Sequence, residues 1–305
     1  MEASPNTPIL RTSRYRRSPS AKPLVALTPI KRKLLRFLVE CRVLSLPQLV
    51  SLGQLSPKGT RRQMRQLFDS GLVEVVAVSR AALAPEGAPA NETLLYGSAP
   101  NLYVPTAPAV RVLVELGVVD SRYLGHSYPA YNPKNGLFLR HELLVRDVRV
   151  WLEGMANREV GRTLRWEDGI GATLELGEKQ VLKPDAWFVF EIAQDERPVV
   201  LVGLVEVDRG TERGKTRWAE KLTRYHALFS SGKLLEHTGY KNARVLVLCP
   251  DEPRLERLAA LIAELAGDER LAGKFWLITA QTLEQTGLHD SVWLVAGQSQ
   301  SCTLL

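Results

Sequence analysis

The chain has 305 residues, 45% hydrophobic and 24% charged, a composition that excludes a disordered tail or a fibre and is long enough for two separate cores. No apolar stretch approaches the roughly 20 residues of a bilayer-crossing helix and no secretory apolar region follows the arginine-rich start, so no membrane partner is expected and a cytoplasmic location is. Three separated cysteines, Cys41, Cys249 and Cys302, offer neither a zinc knuckle nor a disulfide framework.

The net charge of +7 is unevenly spread. Residues 1–80 hold 15 Lys and Arg against 4 acids, a balance of +11, and the remaining 225 residues are mildly acidic at −4. A basic end of this kind fits a polyanion, because phosphate contacts release counterions and supply most of the non-specific affinity. Duplex DNA is the leading partner.

Residues 1–26 read as a flexible basic arm in which Arg14, Arg16 and Arg17 stand among Ser and Pro, a composition suited to phosphate or minor-groove contacts. From Leu27 the pattern changes. Thr28 is a capping type, Pro29 suits a first helical position, and Ile30, Leu34, Phe37, Leu38 and Cys41 share one apolar face. Ser45 opens a second, shorter helix that ends near Gly53, and Ser56 with Pro57 opens a third. In that third helix Met64, Leu67 and Phe68 are spaced to face inward, whereas Lys58, Thr60, Arg61, Arg62 and Arg65 cover its start and outer side. A recognition helix meets base edges with its first turns, which makes those five residues the DNA-binding candidates. Leu72–Val78 reads as a strand, 81–90 as a loop and Leu102–Val104 as a returning strand, with a closing helix through Val110, Leu113 and Leu116. The order resembles the winged helix-turn-helix domains of bacterial regulators and plasmid proteins, over about residues 27–118.

Residues 119–136 are polar and read as a linker to an α/β domain over 137–290, with a tail at 291–305. His141, Val145, Val148 and Leu152 form one helical stripe. Strands are expected at Arg162–Trp166 with a return near Thr173–Leu176, at Val181–Phe190 and at Val199–Val207. A helix over Lys215–Phe229, a strand over Ala243–Leu248, a helix over Glu252–Leu265 and a strand over Lys274–Ile278 follow. This αβββαβ order resembles that of PD-(D/E)xK restriction-endonuclease-like domains.

Lys183-Pro184-Asp185 falls inside the second expected strand, and Glu206-Val207-Asp208 ends the third. Glu206 and Asp208, two apart, share one strand face, and a neighbouring strand can bring Asp185 beside them. Three carboxylates at one place disfavour ionisation unless a cation joins them, which suits Mg²⁺ or Mn²⁺ and metal-assisted phosphodiester hydrolysis. The motif places a lysine two after the glutamate, where this chain has Asp208; Lys221, on the sheet-facing border of the next helix beside Trp218, Leu222 and Tyr225, is the expected substitute.

The run Lys183-Pro184-Asp185-Ala186, the run Glu206-Val207-Asp208-Arg209-Gly210-Thr211-Glu212, and Lys221 with Tyr225 resemble the replication-relaxation family of plasmid and integrative-element proteins. The resemblance implies a DNA-binding protein of a mobile element acting in replication, relaxation or mobilisation, with other plasmid replication or transfer proteins as further partners and a homodimer left open. It leaves open whether the second domain is a metal-dependent endonuclease that nicks DNA. The alternatives are a non-catalytic DNA-binding module or transcriptional regulator whose second domain serves protein contacts, and a defence or restriction effector. A phosphate-binding loop over Gly210–Thr216 is set aside, because three residues separate its glycines where four are required.

Overall fold

A computed structural model describes residues 26–76, 78, 83, 101–126, 136–157, 161–177, 180–193, 198–210 and 215–304. The basic arm with Arg14, Arg16 and Arg17, most of the expected loop at 81–90, and Thr211 and Glu212 lie outside the described residues. The chain forms two compact units that meet in sequence between Leu143 and Leu144. Among the described residues no helix is long and apolar enough to cross a membrane.

The first unit opens with three helices, α1 (Pro29–Cys41), α2 (Leu46–Gly53) and α3 (Pro57–Asp69). Pro29 stands at the start of α1 as expected, although Thr28 accepts no side-chain capping bond. Ser45 forms a full capping box with Gln48 at the start of α2, satisfying backbone donors that the helix leaves open. The turn into α3 uses Gln54 in the left-handed region, and Ser56 then caps α3 by accepting from Gly59 N at 3.1 Å. Gly53 lets α1 and α2 approach closely, since a Cβ there would lie 3.0 Å from Leu34. Strand β1 (Leu44–Ser45) pairs antiparallel with β3 (Leu102–Pro105), which pairs antiparallel with β2 (Val73–Val76), giving the order β1-β3-β2. Helix α4 (Ala107–Glu115) follows, capped by Thr106. Leu34, Phe37, Leu38, Leu49, Met64, Leu67 and Val104 are fully buried.

Helix α5 (Gly136–Asn157) crosses the division, with its residues to Leu143 in the first unit and the rest in the second. In the second unit, β4 (Gly161–Asp168), β5 (Leu174–Gly177), β6 (Gln180–Leu182), β7 (Ala186–Ile192) and β8 (Val199–Val207) precede α6 (Lys215–Ser230) and α7 (Lys233–Thr238). Then come β9 (Arg244–Cys249), α8 (Glu252–Ala266), α9 (Glu269–Ala272), β10 (Phe275–Thr279), α10 (Ala280–Leu283), β11 (Trp293–Val295) and β12 (Ser301–Cys302). Seven strands form one mixed sheet in the order β12-β11-β10-β9-β8-β7-β4, parallel across β8, β9 and β10 and antiparallel elsewhere. Helix α5, strands β4, β7 and β8, helix α6 and strand β9 realise the expected αβββαβ order.

Alternation along the strands divides the core between the two faces of the sheet. Trp187, Val189, Val202, Leu204, Val245 and Val247 pack under α6 and α8, whose Trp218, Leu222, Tyr225, Leu255 and Leu258 face them. Phe188, Phe190, Leu201, Val205 and Leu246 pack on the other face with Val145, Val148, Trp151 and Leu152 of α5.

Two expectations need correction. The strand expected over Val181–Phe190 is two elements: β6 pairs with β5 in a separate two-stranded sheet, and β7 begins only at Ala186. Pro184 carries no N–H for a ladder, so the chain bends there and Asp185 precedes the strand instead of lying within it. Residues 291–304 of the expected tail at 291–305 are also part of the fold, because β11 and β12 extend the sheet beyond β10 and Trp293 and Leu304 are fully buried.

Candidate functional site

Where β7 begins beside the end of β8, three of the expected residues come together on the face under α6. Asp185 N donates to Val205 O at 2.9 Å, and the Asp185 side chain turns back to accept from Val207 N at 2.8 Å. The carboxylate thus continues the ladder past the last backbone pair, Ala186 with Val205. Glu206 projects from β8 on the same face as Leu204, beneath α6, with only 2% of its surface exposed.

Helix α6 supplies the groups that meet Glu206. Lys221 Nζ donates to Oε2 at 2.8 Å, and the Tyr225 hydroxyl donates to Oε1 at 2.6 Å. The two are four apart in sequence and therefore neighbours on one helix face. Lys221 also lies 4.8 Å from the centre of the Trp218 ring, three residues earlier on the helix. The buried carboxylate thus has one charged and one neutral donor, one on each oxygen. Burial pushes the Glu206 carboxyl above its usual range; Lys221 opposes the rise and Asp185 adds to it. Burial and the Glu206 charge push the Tyr225 hydroxyl well above the usual phenol range, so Tyr225 remains a donor.

Asp208 does not join them. It follows the end of β8, its backbone N bonded to Leu248 O at 2.8 Å, and its carboxylate is closed by Arg254 of α8. Arg254 Nε meets Oδ2 at 2.6 Å and Nη2 meets Oδ1 at 3.1 Å, with the Asp208 side chain 1% exposed. The expected convergence of Asp185, Glu206 and Asp208 on one ion is therefore corrected: among the described residues no three of His, Cys, Asp and Glu form a metal-holding group. The reason is that sharing a strand face leaves two side chains one strand repeat apart, and each found a different cation from a different helix.

The sequence placed Tyr225 in the apolar stripe and, beside Lys221, among the residues of the family resemblance, without a role at Glu206, and did not single out Arg254. Its spacing four after Lys221 was the available signal for Tyr225. For Arg254 it was a cation in the first turn of a helix, where the macrodipole disfavours positive charge unless an acid compensates.

In the first unit, Lys58, Arg61 and Arg62 are exposed along α3, as expected. Arg65 is part-exposed and pairs with Asp69 at 2.9 Å, one turn on. Thr60 is a correction. It is fully buried, and its hydroxyl donates to Ser56 O at 3.2 Å, so it faces the interior and presents nothing to a groove.

Among solved structures, restriction endonuclease FokI is similar at 10% identity with a TM-score of 0.28, the match covering 84% of this chain and 42% of the FokI chain. The chain thus spans less than half the length of that relative. No curated protein matches the sequence. The model of the replication-relaxation family matches residues 35–243, which takes in α1 from its second turn, the three-stranded sheet, the Asp185 bend, the end of β8 and all of α6. With more than half of its length matched by that model, the chain belongs to the replication-relaxation family.

Proposed function

We propose that this protein binds duplex DNA and acts in the replication, relaxation or mobilisation of a plasmid or other mobile element, cutting one DNA strand at the Asp185–Glu206–Lys221 site. The first unit serves as a winged helix-turn-helix: α3 enters the major groove and presents Lys58, Arg61, Arg62 and Arg65, and the basic arm with Arg14, Arg16 and Arg17 adds phosphate contacts. The excess of positive charge over residues 1–80 supports this reading. The cytoplasm is the compartment in which it works, and other replication or transfer proteins of the element are its further partners.

The observation that carries the catalytic part is the Lys221–Glu206 contact at 2.8 Å, made from the helix that follows the third strand of the αβββαβ order. It supplies from α6 the lysine that the motif position, Asp208, lacks. Asp185, just before β7, raises the cost of ionising Glu206 on β8, and the two make a hard-oxygen pair that suits Mg²⁺ or Mn²⁺; Asp208, committed to Arg254, is outside it. When bound there, such an ion supplies an activated hydroxide and charge stabilisation at the phosphate. Lys221 contributes a cation beside Glu206, able to balance negative charge on a phosphate drawn to the site.

A second reading is that the domain is non-catalytic and serves protein contacts or transcriptional control. It is favoured by the internal partners of all three acids, with both Glu206 oxygens and both Asp208 oxygens occupied. Supercoiled plasmid incubated with the protein in Mg²⁺ or Mn²⁺ separates the two. Nicking by wild type and its loss in Asp185→Ala, Glu206→Ala and Lys221→Ala is the expected result. Equal nicking by the variants sinks the catalytic proposal, and a wild type that binds plasmid without nicking it selects the second reading.

A further inference from the structure

We propose that Tyr225 is a positioning residue of the Glu206 site, holding the carboxylate in the one orientation that presents Oε2 to Lys221. The proposal rests on the site reading given above. A carboxylate rotates readily about its last bond, and Glu206 has two chemically equal oxygens. In this protein they are made unequal: the hydroxyl of Tyr225 takes Oε1 at 2.6 Å and the ammonium of Lys221 takes Oε2 at 2.8 Å.

The tyrosine is itself fixed from two elements. It is fully buried, its ring meets Phe275 of β10 edge-on with centroids 5.3 Å apart, and it stacks on Phe229 of its own helix at 6.2 Å. The hydroxyl is therefore delivered to Oε1 by a side chain that has no room to follow the carboxylate if it turns. The choice of a neutral donor also has a consequence. A second ammonium at Oε1 would leave the cluster with a net positive charge, whereas a hydroxyl satisfies the oxygen without adding charge to the Glu206–Lys221 pair.

The test uses the full chain and reads the reactivity of the Lys221 amine without requiring catalysis. Wild type, Tyr225→Phe, Glu206→Gln and the double variant are treated with acetic anhydride, and acetylation of each lysine is followed by peptide mass spectrometry, with thermal melting as the fold control. Loss of the hydroxyl frees Glu206 to rotate, so Lys221 in Tyr225→Phe should be acetylated about three- to tenfold faster while Lys58 and Lys274 keep their rates. Glu206→Gln should give an increase at least as large, and adding Tyr225→Phe to it should change nothing more, because the tyrosine acts through the carboxylate. Faster acetylation in Glu206→Gln with no change in Tyr225→Phe overturns the positioning role alone. No change in Glu206→Gln overturns both, since Lys221 would then not depend on Glu206 at all. Should Tyr225→Phe fail to melt cooperatively, the double variant decides: a Lys221 rate above that of Glu206→Gln shows a role independent of the carboxylate and overturns the proposal, and an equal rate sustains it.

Discussion

Arg254 grips Asp208 with two nitrogens on two oxygens, at 2.6 Å and 3.1 Å, across 46 residues of sequence. The contact ties the end of β8 to the first turn of α8, next to the thiol of Cys249, which burial and the Asp208 charge push upward. Removing one partner leaves the other charge largely out of water. Asp208→Ala is therefore expected to lower stability by roughly 3 kcal/mol, read as a drop in the urea midpoint. Replacing both groups, as Asp208→Leu with Arg254→Met, should recover most of the loss. A single variant as stable as wild type would show that the pair does not form.

Glu206 gives the second unit a pH dependence of definite sign. Its folded carboxyl titrates above the ordinary value of 4.5, so between those two values the native state holds more protons than the unfolded chain. Stability from this group is complete below 4.5 and is lost as pH rises through the raised folded value. Glu206→Gln has no such titration. The stability of wild type relative to Glu206→Gln should decline as pH climbs above 4.5, measured by urea denaturation at a series of pH values. A difference that stays constant or grows with pH would contradict the burial cost.

Phe188 and Gly203 face one another across β7 and β8, and the ring lies where a side chain at 203 would have to go. The same ring stacks on Trp166 of β4, 6.2 Å away. Gly203→Val should force the aromatic pair out of register and cost about 3 kcal/mol or more by thermal or urea unfolding. Gly203→Ala should cost less in the same direction.

The residues on α3 divide into two classes. Arg61→Ala and Arg62→Ala should weaken duplex binding and lower the slope of log affinity against log salt by about 0.9 for each phosphate that the variant no longer neutralises. Thr60→Ala removes a buried hydroxyl bond to Ser56 O and should cost about 1 kcal/mol of stability, leaving the salt slope unchanged. Fluorescence anisotropy of a labelled duplex at several salt concentrations, run beside urea unfolding, distinguishes them.

Much of the architecture is carried by local signals. Ser45, Ser56 and Thr106 each cap the helix that their residue type announces, and the spacing of Leu34, Phe37 and Leu38 marks the buried side of α1. The strands that hold the site, β7 and β8, are legible as long apolar runs because both faces of the sheet are covered. Short elements escape: β11 and β12 span only three and two residues, too few for a period, and they are strands because β10 offers an unpaired edge.

The amino-acid order alone determined the charge asymmetry, the helix caps, the αβββαβ succession and the presence of acids at the ends of two adjacent strands. Only tertiary structure decided which of those acids share a place. Asp185 reaches Val207 N, Glu206 reaches Lys221 and Tyr225, and Asp208 reaches Arg254, over separations of 15 to 46 residues. A buried carboxylate must find its donors wherever packing delivers them, and packing is set by how whole helices settle on the sheet, which no spacing along the chain records.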